Sequence, residues 1–284
     1  PGYVLNQYSM DEKDGYFRIA TTGNNNDRRS GNNLFVLNEA LEKVGSVEGL
    51  AKGEQIYSTR FMGDRCYMVT FKITDPLFTI DLSDPENPTV LGALKIPGFS
   101  TYLHPYDENI LIGIGKETIE DKSGDFAWQR GVKISLFDVS DITNPKELAK
   151  LEVGDRGTES NALYDPHAFL FSKARNMLVL PILEAQIDES DFADGEAPID
   201  WYGEYVNQGA YVFDISEKGI ELRGKVSHID DPEVYLMSGY RFESDLLVQR
   251  SLYIEDNLYT LSNGMIKVNN IQSLEELTVI NLGE

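Results

Sequence analysis

One strand–turn–strand pattern recurs along the chain. Residues 77–92 read Leu-Phe-Thr-Ile-Asp-Leu-Ser-Asp-Pro-Glu-Asn-Pro-Thr-Val-Leu-Gly: an apolar run ending at Asp81, a turn, and a second apolar run. Similar stretches begin at Ile134 and at Ala210. Aligning the copies on the polar residue that ends the first run gives five anchors: Asn38, Asp81, Asp138, Asp214 and Asn269. A recurring pattern of this kind is the signature of a repeat architecture.

The anchors have a local structural explanation. A short Asp or Asn side chain accepts hydrogen bonds from backbone N–H groups just beyond it and so fixes a turn. We therefore interpret all five as turn residues, with metal binding as a distant alternative.

Two further strand-like runs precede each anchor and one follows it, which predicts four antiparallel strands per unit. The connections carry hairpin signals such as Asp14-Gly15 and Asp256-Asn257. The units cover approximately residues 3–50, 54–97, 98–155, 161–230 and 238–284 of a single domain. Four-stranded sheets packed face to face around an axis form a β-propeller, so the predicted fold is an all-β propeller with five blades. A β-sandwich is the competing all-β fold, but it does not predict a repeated four-strand unit.

Charge and composition exclude several classes of function. The 284 residues carry 47 acidic and 25 basic side chains, a net charge of −22. Such a surface repels phosphate backbones and argues against nucleic acid as a partner. No apolar stretch of about 18 residues is present, so no membrane span is predicted. The single cysteine, Cys66, lies in an apolar run and is expected to be a buried side chain rather than a nucleophile.

Three long insertions interrupt the repeat, at residues 22–33, 116–131 and 184–208. The third is the longest and combines acidic residues with Trp201, Tyr202 and Tyr205. Long loops on a rigid scaffold are where binding residues tend to lie.

The inner strands supply a candidate ligand site, because the innermost strands of a propeller line its central channel. Aligning the units places Tyr8, Arg60, Tyr102, Phe169 and Arg250 at roughly equivalent positions, with His167 in the neighbouring ring of side chains. Two arginines inside an acidic protein could hold a carboxylate or a phosphate. The alternative is that these arginines pair with acidic neighbours or reach water.

The acidic insertion is a second candidate site. Asp188, Asp191 and Asp194 could ligate Ca²⁺, which takes several oxygen ligands. The loop lacks the EF-hand pattern, and a solvated loop is the simpler explanation. No other cofactor is predicted.

Several stretches in combination resemble secreted prokaryotic proteins with a C-terminal β-propeller domain, distantly related to WD-type repeats. The stretches lie at residues 2–12, 16–22, 60–65, 75–85, 97–109, 167–171 and 250–262, and the resemblance covers nearly the whole chain. It implies an exported, secreted or cell-surface protein without an established biochemical activity. It also implies that the chain corresponds to the C-terminal part of a longer protein.

Three functions from different classes follow, of which the third is a purely structural domain that serves upstream sequence. The first is a non-enzymatic propeller that binds a protein or a polysaccharide at the cell surface. The second is a carboxylate-dependent hydrolase or lyase that acts on polysaccharide at the channel mouth, where two acids about 5 to 10 Å apart would be needed. The sequence contains no recognisable catalytic motif that favours the second.

Overall fold

The computed structural model describes residues 2–23, 31–72, 75–122, 124, 126–193, 195–236 and 242–283. Most of the first insertion, residues 123 and 125 of the second, Asp194 of the third and the start of the fifth predicted unit lie outside these residues. Contacts within the chain define two compact units. Unit 1 comprises Pro1–Trp128 and Ser135–Leu148, and unit 2 comprises Gln129–Ile134 and Ala149–Glu284.

The described strands form five antiparallel sheets, each built from consecutive strands. The first sheet contains β1 (Met10–Lys13), β2 (Tyr16–Thr22), β3 (Asn32–Leu37) and β4 (Lys43–Leu50). The second contains β5 (Gln55–Met62), β6 (Arg65–Phe71), β7 (Asp75–Asp81) and β8 (Thr89–Ile96). The third contains β9 (Phe99–Pro105), β10 (Ile110–Glu120), β11 (Ala127–Asp138) and β12 (Lys146–Val153), and its residues are divided between the two units.

The fourth sheet contains β13 (Glu159–Ser160), β14 (Leu170–Ser172), β15 (Met177–Gln186), β16 (Glu204–Ser216) and β17 (Gly219–Val226). The fifth contains β18 (Arg250–Ile254), β19 (Asn257–Leu261), β20 (Met265–Asn270) and β21 (Glu276–Asn281). One short α-helix is described, α1 (Glu233–Leu236). Single 3₁₀ turns cover Gln7–Ser9, Asn161–Leu163, Pro166–Ala168, Lys173–Arg175 and Glu189–Asp191. Five sheets at the predicted positions confirm the all-β prediction and the repeat of mostly four-stranded sheets.

The sheets pack face to face within each unit. In unit 1, Cys66, Met68 and Ile80 of the second sheet pack against Ala20 and Leu34 of the first. The opposite face of the second sheet, with Tyr67, Val69 and Leu77, packs against Leu103, Leu111 and Phe137 of the third. In unit 2, Val179 and Val212 of the fourth sheet pack against Leu258 of the fifth and against Val248. Burial of both faces explains why the middle strands are nearly continuous apolar runs.

The first edge strand of the first and fourth sheets differs from the sequence prediction. A first strand was expected near residues 5–9, but Gln7–Ser9 is a 3₁₀ turn capped by the Asn6 side chain, and β1 starts at Met10. In the fourth sheet the inner edge consists of two short pieces, β13 and β14, which both pair with β15. Pro166 and the Asp165 cap start a 3₁₀ turn between these pieces, because the proline ring fixes a helical φ and the carboxylate accepts from the backbone N–H of His167.

The second insertion is mostly strand rather than loop. Within residues 116–131, β10 continues to Glu120 and β11 begins at Ala127, so the sheet itself extends outward. Where the chain turns, the Trp128 indole N–H donates to the Asp121 carboxylate at 3.2 Å. The insertion therefore forms a long hairpin.

The anchor residues fix turns in three of the five sequence repeats. The side-chain oxygens of Asn38, Asp81 and Asp138 accept hydrogen bonds from backbone N–H groups two residues further on, at 2.9 to 3.0 Å. The prediction is wrong for the other two. Asp214 pairs with the Arg223 guanidinium, and Asn269 donates to the carbonyl of Leu274 while its neighbour Asn270 accepts from the turn.

Candidate functional site

Arg60, on β5, lies among aromatic rings in unit 1. Its guanidinium carbon is 4.3 Å from the centre of the Tyr8 ring and 5.4 Å from that of Tyr102. The two tyrosine rings meet edge to face, with centroids 5.5 Å apart. The structure thus brings together three of the predicted inner residues: Tyr8 from the first 3₁₀ turn, Arg60 from β5 and Tyr102 from β9.

Hydrogen bonds hold this cluster in one geometry. The Arg60 Nε donates to the carbonyl of Leu103 at 2.8 Å, whereas its Nη2 atom is buried and has no hydrogen-bond partner. The Tyr102 hydroxyl lies 3.1 Å from Nδ1 of His104. Burial and, second, the Arg60 charge lower the pKa of His104 to about 4, so this imidazole is neutral at pH 7. Arg60 therefore supplies the positive charge of the cluster.

Arg250, the predicted counterpart in unit 2, has a different environment. Its Nη2 donates to Asp165 at 3.1 Å, and the other oxygen of Asp165 accepts from His167 at Nδ1, at 2.9 Å. The His167 side chain is 72% exposed. Hydrogen bonds from the backbone and the side chain of His167 lower the pKa of Asp165, which keeps this carboxylate ionised beside Arg250. Arg250 thus already has a carboxylate partner.

The third insertion bounds a cleft of about 1040 Å³ in unit 2. We call it the unit 2 cleft. Its aromatic lining consists of Phe192, Trp201 and Tyr202, and the Phe192 and Trp201 rings meet edge to face at 5.3 Å. The Trp201 and Tyr202 residues are about half exposed, at 51% and 50%. Its charged lining residues are Arg130, Asp155, Arg156, Asp188, Glu189, Asp191, Glu196 and Glu204.

Two arginines are fixed in the lining of this cleft. Arg130, on β11, pairs with Asp155 at 2.5 Å. The Arg156 guanidinium lies 4.2 Å from the centre of the Tyr202 ring, and its Nη2 donates to the Tyr202 hydroxyl at 3.0 Å. Asp155 also accepts from the backbone N–H of Ile187 at 3.0 Å and so ties the start of the insertion to the turn after β12.

Sequence reasoning recognised the insertion but missed the turn that completes the cleft. Asp155 and Arg156 stand between Gly154 and Gly157, which both have positive φ, at 64° and 109°. The Gly-Asp-Arg-Gly stretch was a readable turn signal. Its distance along the chain from Trp201 concealed the shared site, since only folding brings the two segments together.

The predicted calcium ligands do not converge among the described residues. The Asp188 carboxylate accepts hydrogen bonds from the backbone N–H and the hydroxyl of Ser190, at 2.9 and 2.6 Å, and caps the 3₁₀ turn Glu189–Asp191. The Ser190 side-chain and backbone hydrogen bonds lower the pKa of Asp188. Asp194 lies outside the described residues, and within those that are described no group of three metal-binding side chains is present.

Two other chemical features can be placed. Cys66 is fully buried, and burial raises the pKa of its thiol far above the usual range, so it has no nucleophilic character at neutral pH. For the part of the chain with described structure, no helix has the length and apolar character that crossing a membrane requires.

Comparison with known proteins identifies related sequences. The family model described as Beta propeller domain matches residues 1–274. The uncharacterized protein MJ1554 of Methanocaldococcus jannaschii is 39% identical over 264 residues, which are 92% of this chain and 34% of that protein. An uncharacterized protein of Archaeoglobus fulgidus is 45% identical over 181 residues, 64% of this chain and 26% of that protein. The chain therefore spans about a third or less of the length of these relatives.

A solved structure of the computationally designed Ika8 protein aligns with 96% of this chain and 73% of its own, at 12% identity and a TM-score of 0.42. The family match, together with the five sheets, carries the assignment of the fold.

Proposed function

Since the chain belongs to the Beta propeller domain family, whose model matches residues 1–274, we propose that it is a non-enzymatic binding module that holds a polysaccharide segment in the unit 2 cleft. The observation that carries the proposal is a large cleft that combines half-exposed aromatic rings with ionisable carboxyl groups.

The chemistry of the cleft suits sugars. Sugar hydroxyls need acceptors, and side-chain carboxyl oxygens such as those of Glu204 can accept hydrogen bonds from them. Aromatic rings such as Trp201 offer an apolar face and a polar edge, which suits ligands whose surface is part C–H and part hydroxyl. The volume of about 1040 Å³ is at the upper end of the range of small-molecule sites, enough for several sugar rings.

The arginines reduce the negative charge of the cleft without cancelling it. Six acidic side chains line the cleft beside Arg130 and Arg156, so a cationic peptide is the competing ligand. Both guanidiniums are held by neighbours before any ligand binds, which reduces the ordering that binding requires.

The two tryptophans of the chain allow a direct test. Trp128→Phe leaves Trp201 as the sole tryptophan, so its fluorescence reports on the cleft. We expect saturable fluorescence changes when soluble oligosaccharides of neutral and acidic sugars are titrated in. Trp201→Ala in the otherwise natural chain should abolish binding measured by calorimetry. The matched control is Tyr164→Ala, since Tyr164 is 77% exposed and does not line the cleft. Absence of saturable binding across an oligosaccharide panel, or unchanged affinity in Trp201→Ala, would contradict the proposal.

A second experiment, an assay of new reducing ends, separates binding from catalysis. Incubation with polysaccharide and assay of new reducing ends should show no release for a binding module. Sustained release that is lost in Asp155→Asn or Glu204→Gln would instead support the alternative of a carboxylate-dependent hydrolase.

We also propose an exported, cell-surface location for the protein, which the resemblance to secreted prokaryotic proteins supports. An antibody against residues 1–284 should label intact cells of the source organism. Labelling that requires cell lysis would contradict this location.

A further inference from the structure

We propose that Arg60, together with Tyr8 and Tyr102, forms a second ligand site, in unit 1, which binds an oxyanion such as a carboxylate or a phosphate group. The proposal does not depend on the unit 2 cleft, because all of its residues belong to unit 1.

The first argument is the contrast between Arg60 and other arginines of this acidic protein. Several described arginines pair with a carboxylate at 3.2 Å or closer: Arg18, Arg130, Arg175, Arg223 and Arg250. With 47 acidic residues in the chain, such pairing is the ordinary outcome. Arg60 instead donates to the carbonyl of Leu103 and lies beside the Tyr8 and Tyr102 rings, with a side-chain hydrogen bond to Tyr102.

The second argument is the unused hydrogen-bonding capacity of the guanidinium. Its Nη2 atom is buried without a partner among the described residues, and a buried donor without a partner costs free energy. An oxyanion would accept from this atom and recover that cost. Arg60 as a whole residue is partly buried rather than fully buried.

The third argument is preorganisation. The Leu103 carbonyl holds Nε, and the Tyr8 and Tyr102 rings lie beside the guanidinium, so its plane is set before a ligand arrives. A guanidinium presents its N–H groups as a planar fork that matches carboxylate and phosphate oxygens two at a time. The neutral His104 imidazole adjoins this cluster without supplying a competing negative charge.

The test uses the 284-residue chain and two probes at constant ionic strength, sodium glucuronate and inorganic phosphate, with sodium chloride as the salt control. Calorimetry should show saturable binding of at least one probe. If Arg60→Lys weakens the binding of glucuronate, the site takes carboxylates; if it weakens the binding of phosphate, the site takes phosphate groups. Glucuronate bound in the unit 2 cleft would not respond to this substitution. Arg60→Lys keeps the charge but loses the fork, and we expect binding about tenfold to a hundredfold weaker. Arg250→Lys is the matched control and should bind as the natural chain does, because Arg250 already has Asp165 as its partner.

A second measurement covers the case in which Arg60→Lys does not fold. In the unsubstituted chain, the Nε–H signal of Arg60 in a nitrogen-15 NMR spectrum should shift during the titration. An Arg60 signal that does not move with either probe, or equal affinity in a folded Arg60→Lys variant, would overturn the proposal. Neither outcome bears on sugar binding in the unit 2 cleft, which the Trp201 variants test.

Discussion

The guanidinium of Arg60, on β5 of the second sheet, lies over the ring of Tyr8, which comes from the turn before the first sheet, with 4.3 Å between the guanidinium carbon and the ring centre. Tyr102 of the third sheet contacts both residues. The Arg60 side chain thus contacts residues from the sequence repeats before and after its own. Arg60 is therefore a structural link whose guanidinium keeps one buried nitrogen, Nη2, without a hydrogen-bond partner among the described residues.

Tyr8→Leu should lower the free energy of unfolding by about 1 to 2 kcal/mol, because it removes a cation–π contact and an aromatic pair. Urea denaturation followed by circular dichroism measures the loss. Tyr3→Leu is the control, since Tyr3 is 41% exposed and its hydroxyl makes one long hydrogen bond of 3.4 Å. Equal stability of the two variants would show that the Arg60 cluster contributes nothing.

Gly115→Ala should destabilise the chain by more than about 4 kcal/mol or prevent folding. A Cβ atom at this position would lie 1.6 Å from the backbone oxygen of Phe99, where the β9–β10 register shifts. Gly63→Ala should cost only about 1 kcal/mol, since its positive φ of 57° is unfavourable for alanine but no atom lies within 4 Å of the added methyl group. Comparable urea midpoints for the two variants would refute this account.

His228 should make the protein less stable as the pH falls from about 6.5 to about 4. The ring is buried, with Nδ1 3.0 Å from the Ser262 hydroxyl and Nε2 2.8 Å from that of Thr260. Burial, and second the charge of Lys267, lower its pKa to about 4 in the folded state, whereas in the unfolded chain it is near 6.5. The unfolded state therefore takes up a proton first in this interval, and the free energy of unfolding decreases as the pH falls.

The measurement for His228 is the difference in unfolding free energy between the natural chain and His228→Gln at pH 7, 6, 5 and 4. The variant should lose less stability on acidification, because its side chain does not titrate. Carboxylates contribute equally to both proteins and cancel in the difference. Parallel pH profiles would mean that His228 has an ordinary pKa in the folded protein.

Glu184→Ala should reduce the free energy of unfolding by about 2 kcal/mol, chiefly because it leaves the buried Tyr211 hydroxyl without its acceptor, whereas Lys225 is 35% exposed and can be solvated. The Glu184 side chain is 7% exposed, and it accepts from Lys225 Nζ at 2.6 Å and from the buried Tyr211 hydroxyl. Glu184→Gln, which keeps an acceptor oxygen of the same reach, should lose less. Thermal or urea unfolding of both variants, with the exposed Glu204→Ala as control, checks the order; a loss in Glu184→Ala no larger than in Glu204→Ala would contradict it.

Much of the fold could be read from the chain because its causes are local. The apolar runs that end at Asp81 and Asp138 and the polar turns after them carry their own hydrogen-bond partners, so the strands and turns form where the pattern indicates. The same reasoning was wrong at Asp214, where Arg223, nine residues away and on the next strand, takes the side chain that the turn would have used. It also missed the outward continuation of β10 and β11, because pairing between two strands is not encoded in either strand alone.

The sequence by itself determined the class of this protein: an all-β repeat of mostly four-stranded sheets, acidic, with one buried cysteine and long insertions. These properties depend on alternation, turn residues and composition, which act over a few residues. Only the tertiary structure decided which partners are contacted by residues at equivalent positions of the repeat. Arg60 and Arg250 align in the repeat, yet Arg250 meets Asp165 and Arg60 meets two tyrosine rings. Likewise, Asp155 and Arg156 join Trp201 in one cleft because packing sets the distance between side chains that the chain keeps far apart.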